Sequence, residues 1–166
     1  MRVRGLIFLV VVGYTSVDVL GQTQVTVPEP VAAESVEASK VILDDVKLTA
    51  QQAALAHPKG ENPFILRESS WSGMVDPGKA RLIQVQLFKR NEYHFWFAVP
   101  DTKAGLNLNI YNGKGDVVKT ENIAYDTPNV VSLIVRPEET GVYYLRISLQ
   151  TTIAIPQKWS VIYAYR

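Results

Sequence analysis

The chain has no cysteine, which excludes a disulfide framework, thiolate chemistry and every zinc site that needs a cysteine ligand. Its only histidines are His57 and His94, little material for a metal or acid–base centre. Net charge is +1 over 166 residues, so no basic excess marks a nucleic-acid binder or a polybasic membrane surface. No Gly-x-Ser-x-Gly elbow, His-Glu-x-x-His helix, Walker loop or dinucleotide fingerprint occurs. Asn112-Gly113-Lys114-Gly115 is glycine-rich, but it joins two expected strands, whereas a phosphate-binding loop opens a helix.

Hydrophobic residues make up 47% and charged residues 20%, the balance of a globular chain with room for one core of ordinary size. At the start, Arg2 and Arg4 precede the apolar run Gly5 to Val12, and small residues follow up to Val19-Leu20-Gly21. That pattern predicts a secretory signal peptide over 1–21 and a secreted or periplasmic protein. The run falls short of the roughly 20 residues that span a bilayer, so no stable membrane span is expected in the mature chain. Cleavage after Gly21 would remove Arg2, Arg4 and Asp18 and leave a neutral chain. Residues 22–30 are polar, β-branched and proline-punctuated, an extended linker.

From Val31 to His57 there is neither glycine nor proline, and Ala, Glu, Lys, Leu and Gln dominate, which predicts a helix. Val36, Leu43, Val46, Ala50 and Ala54 fall near one stripe, widened by Ile42, Ala53 and Ala56. Many of these are alanines, so the stripe buries little area and needs a surface to pack on. After a loop through Ser70 the period changes to two. Ile83, Val85 and Leu87 alternate with polar neighbours, as do Tyr93, Phe95, Phe97 and Val99 with His94, Trp96 and Ala98. The polar break Lys89 to Glu92 between them predicts that the two strands face each other across a short turn. Further alternating stretches cover Leu106 to Tyr111, Val117 to Thr120, Val131 to Val135, Tyr143 to Leu149 and Trp159 to Tyr165. With Trp71 to Val75, about eight short strands predict a mainly β fold: an antiparallel, jelly-roll-like β-sandwich with one N-terminal α-helix.

Gly73, Gly78, the strand Leu106 to Tyr111 with its Gly115-Asp116 turn, and Thr140-Gly141-Val142-Tyr143 resemble the bacterial pre-peptidase C-terminal (PPC-like) domain over 69–166. The resemblance implies a sandwich accessory module in an extracytoplasmic setting, here in a standalone secreted form. Some sandwiches of this kind bind collagen or calcium.

His57 lies at the expected helix end, where a protonated imidazole would suit the dipole. If Tyr93, Phe95 and Phe97 fill the core, His94 and Trp96 point the other way. Trp96 is then either covered by the helix or part of a binding surface with Tyr111 or Tyr144, an aromatic platform suited to sugar rings. Asp101, Asn107, Asn109 and Asp116 are oxygen donors near loop ends, which allows a calcium site, although Asn and Asp are also ordinary turn residues. Carboxylates for glycoside hydrolysis cannot be paired from sequence. The expectation is a non-catalytic exported module for adhesion, assembly or protein interaction, with carbohydrate or calcium binding around His94, Trp96, Tyr111 and Tyr144 as the alternative. No resident cofactor is expected, and the partner is a protein or glycan outside the cytoplasm.

Overall fold

The computed structural model describes residues 34–57 and 60–166, with the side chains of the helix from Asp45 onward. The signal peptide and linker expected over 1–30 lie outside the described residues. One helix, α1 (Glu34–Ala56), precedes eight strands: β1 (Ile65–Val75), β2 (Ala80–Leu87), β3 (Tyr93–Ala98), β4 (Gly105–Tyr111), β5 (Thr120–Ile123), β6 (Val130–Val135), β7 (Gly141–Gln150) and β8 (Gln157–Tyr165). They form two antiparallel sheets, one of five strands in the order β1-β8-β3-β6-β5 and one of three in the order β2-β7-β4. The fold is a mainly β sandwich with one helix.

Alternation along each strand explains the layers. Ile83, Val85 and Leu87 of β2, Leu108 and Ile110 of β4 and Leu145, Ile147 and Leu149 of β7 are buried and face Phe95, Phe97, Leu133 and Val161 of the other sheet in one core. Gly73 pairs with Trp159 across β1 and β8. A Cβ on Gly73 would stand 3.4 Å from the Trp159 ring, an ordinary van der Waals contact, so the indole lies directly against β1 at this position.

The expected pairing of β2 with β3 does not occur. β2 pairs with β7 in the three-stranded sheet, and β3 pairs with β6 and β8 in the other. Phe88 to Glu92 is therefore an arch that carries the chain from one sheet to the other. Arg90 takes a φ of 76°, and the backbone amides of Phe88 and Lys89 donate to the Tyr93 hydroxyl and the Thr140 hydroxyl, at 3.0 and 2.9 Å. Both arms point apolar residues into the same core, and period two looks the same for a hairpin within one sheet as for an arch between two. Two smaller expectations shift as well. β1 begins at Ile65 rather than Trp71, with a register irregularity between Leu66 and Ser70. The chain beyond the Gly115 turn makes one bridge, Val117 to Tyr111, before β5 joins the other sheet.

α1 covers the outer face of the five-stranded sheet. Val46, Ala50 and Ala53 form a second cluster with Trp96, Ala98, Ile162 and Ala164. Their spacing of four and three puts them on one face, and two small side chains let the helix sit close on a flat indole. β3 is consequently buried on both faces along its whole length.

Candidate functional site

The four sequence-nominated residues separate into two pairs on opposite sides of the sandwich. His94 and Trp96 lie under α1, 0% and 1% exposed. An accessible aromatic platform at Trp96 is thereby ruled out for this arrangement, because the helix needs an apolar surface and the indole supplies it. The Trp96 Nε1–H donates to the Tyr125 hydroxyl at 2.7 Å, and the His94 ring stacks on the indole at 3.7 Å between centroids. His57 and Phe64 meet His94 edge-on, at 4.7 and 5.3 Å. A small cavity of about 80 Å³ remains at this end of α1, lined by residues that include His57, Phe64, Leu66, Trp96 and Arg166.

His94 Nε2 is 2.9 Å from Ser132 Oγ. That contact has the form of a hydroxyl nucleophile beside a base, and its surroundings work against the chemistry. Ser132 Oγ is also 3.5 Å from the Tyr125 hydroxyl, so the serine hydroxyl is shared between two partners. The other ring nitrogen of His94, Nδ1, has no hydrogen-bond partner among the described residues. Among the described residues no carboxylate orients the ring as a hydrolase triad requires. Burial, reinforced by repulsion from His57 and Arg166, lowers the His94 pKa to about 3, far from the value that makes an effective general base near neutrality. The arrangement is a buried polar network that braces β3 against β6 beneath the helix.

The calcium donors do not converge. Asp101 precedes β4 and Asp116 follows it, so a seven-residue strand about 20 Å long separates them. The Thr151 hydroxyl and the Lys103 backbone amide both donate to Asp101 and hold its pKa below the usual carboxylate value. Asp116 closes a turn: its backbone amide donates to Asn112 Oδ1 at 2.9 Å and its carboxylate accepts from Asn112 Nδ2 at 3.1 Å. Asn107 and Asn109 point outward from the strand between them. Among the described residues no group of three His, Cys, Asp or Glu side chains is placed to hold a metal ion.

Tyr111 and Tyr144 are brought together. They are direct partners across β4 and β7, and Gln84 of β2 stands opposite Tyr144 on its other side. The neighbouring row reads Leu82, Arg146, Asn109, and the next Ala80, Ser148, Asn107. Because Leu145 and Ile147 are turned into the core, all these residues project from the outer face. Tyr111, Tyr144, Arg146 and Asn109 are half-buried, while Gln84, Gln86 and Asn107 are exposed. Sequence reasoning nominated the two tyrosines and missed Arg146, Gln84 and Gln86. The signal for Arg146 was present in its parity with Tyr144; the signal for Gln84 was not, since only strand pairing brings β2 beside β7.

No protein-family model matches the chain, and no curated protein matches it. Among solved structures it has a likeness to the Bacillus licheniformis lipase BlEst2 in its propeptide form, with 10% sequence identity and a TM-score of 0.39. The alignment covers 73% of this chain and 27% of that one. A likeness that weak bears on neither activity nor partner.

Proposed function

We propose that the chain is a non-catalytic, exported β-sandwich module that holds a partner outside the cytoplasm through the outer face of its three-stranded sheet. The observation that carries this is the asymmetry of the two outer faces. α1 fills the face bearing Trp96, and among the described residues no element packs over the face bearing Tyr111, Tyr144 and Arg146. A pair of aromatic rings in register, flanked by amides and a guanidinium, is the composition of a recognition surface rather than of an inert one.

Export is supported by the leading arginines and the short apolar run that follows them. The PPC-like reading belongs to the same proposal. Thr140-Gly141-Val142-Tyr143 leads into β7, Gly78 and Gly115 occupy turns with positive φ, and an accessory module of that family would work outside the cytoplasm. The carbohydrate alternative moves with the site, from Trp96 to the tyrosine pair.

The test is retention of the purified full chain on envelope fractions from the cells that make it. Replacing both Tyr111 and Tyr144 with alanine is expected to cut retention at least tenfold with an unchanged circular dichroism spectrum. Equal retention of the double variant would remove this face from the account.

A further inference from the structure

We infer that the partner on this face is an acidic polysaccharide, a chain of sugar rings bearing carboxylates, and that Arg146 selects for its charge. The inference rests on the proposal that the open sheet face is where the partner binds.

Three strands about 4.8 Å apart make a surface roughly 10 Å across, with successive rows near 7 Å apart along each strand. Small-molecule sites are concave; a broad strip of pleated sheet suits an extended chain laid over several rows. Its chemistry narrows the class. Gln84, Gln86, Asn107 and Asn109 each carry an amide donor and an amide acceptor, which matches hydroxyl groups that donate and accept at once. Tyr111 and Tyr144, half-buried and paired across β4 and β7, put adjacent aromatic surface on the strip, against which the C–H face of a sugar can rest. The central core of a protein interface would be more apolar, and here the apolar side chains Leu82 and Val142 flank the tyrosine row rather than fill it.

Charge decides between neutral and acidic sugars. Arg146 is on the middle strand β7, with Leu82 and Asn109 on either side and Tyr144 and Ser148 along the strand. None of the outward residues on β2, β4 and β7 is a carboxylate, and Arg146 makes no ion pair among the described residues. An unpaired, half-buried guanidinium on strands that present no outward acid attracts an anion, and its fork fits a carboxylate in two-point contact. A single cation in this strip is too little for a phosphate polymer, whose affinity is built from many cationic contacts.

The experiment is affinity electrophoresis of the full chain in gels containing polygalacturonate, alginate or the neutral hydroxyethylcellulose, at low salt and at 0.5 M salt. Expected are retardation by one or both acidic polymers at least tenfold stronger than by the neutral one, and weakening of that retardation by salt. Arg146→Gln should reduce acidic binding to the neutral level, and Arg146→Lys should keep part of it, which separates lost charge from lost fold. The inference is overturned if acidic and neutral polymers retard the chain equally and Arg146→Gln changes nothing. It is also overturned if none of these polysaccharides binds while envelope retention still depends on Tyr111 and Tyr144; the partner is then of another class and the proposed function stands. Failure of that dependence on the tyrosines is the separate result that removes the proposed function itself.

Discussion

His94 is the residue whose position has the clearest consequence for solution behaviour. Folded, its pKa is about 3; unfolded, it returns to the ordinary value near 6.5. Between those values the unfolded chain binds a proton that the folded chain excludes, so the contribution is complete above pH 6.5 and declines as pH falls towards 3. At pH 5 the loss is about 2 kcal/mol. Urea unfolding at pH 7 and pH 5 should therefore show the wild type losing about that much more stability than His94→Phe, which has no proton to bind. An equal pH slope in both proteins would mean that the imidazole is hydrated in the folded state. The alternation of β3 put His94 off the main core face. Its full burial depended on Phe64, His57 and α1 arriving from elsewhere in the chain, and no local pattern encodes that.

At the scale of elements, α1 and the β2–β3 arch carry the lessons. The helix was legible because composition and the 3.6-residue period agree from Val46 to Ala54. Ala50 is fully buried against the Trp96 cluster, so Ala50→Leu should overpack the contact and cost about 1–3 kcal/mol, read as a lower urea midpoint. Ala50→Asp should lift the helix instead and shift tryptophan emission to longer wavelength as Trp96 becomes wet. Unchanged emission in that variant would show that the helix does not protect the indole. In the three-stranded sheet, β7 pairs on both sides. Leu145→Ala at its buried centre is expected to cost about 2–5 kcal/mol by thermal or urea denaturation. In sequence the arch reads as a hairpin because the turn chemistry of Lys89 to Glu92 fits either geometry, and what separates the two is the pairing of β2 with a strand more than fifty residues away.

For the whole molecule, two apolar clusters share β3: the core between the sheets, which among the described residues contains none from α1, and the smaller cluster beneath the helix. That division predicts two levels of opening. Hydrogen exchange at neutral pH should show amides of α1 exchanging at least tenfold faster than those of β3 and β7, because the helix can leave without breaking the sandwich. Matching rates would make helix and sandwich one cooperative unit. Strand-and-helix content, the inward and outward parity of each strand and the apolar stripe of α1 are readable along the chain, since these follow from local periodicity. Strand pairing and packing assigned each strand to its sheet, sealed Trp96 beneath α1 while leaving Tyr111 and Tyr144 half-buried on the other face, and set Gln84, Arg146 and Asn109 beside them. The physical reason is that side-chain parity is a property of neighbours in the chain, whereas adjacency across a sheet is set by hydrogen bonds between segments that no local pattern connects.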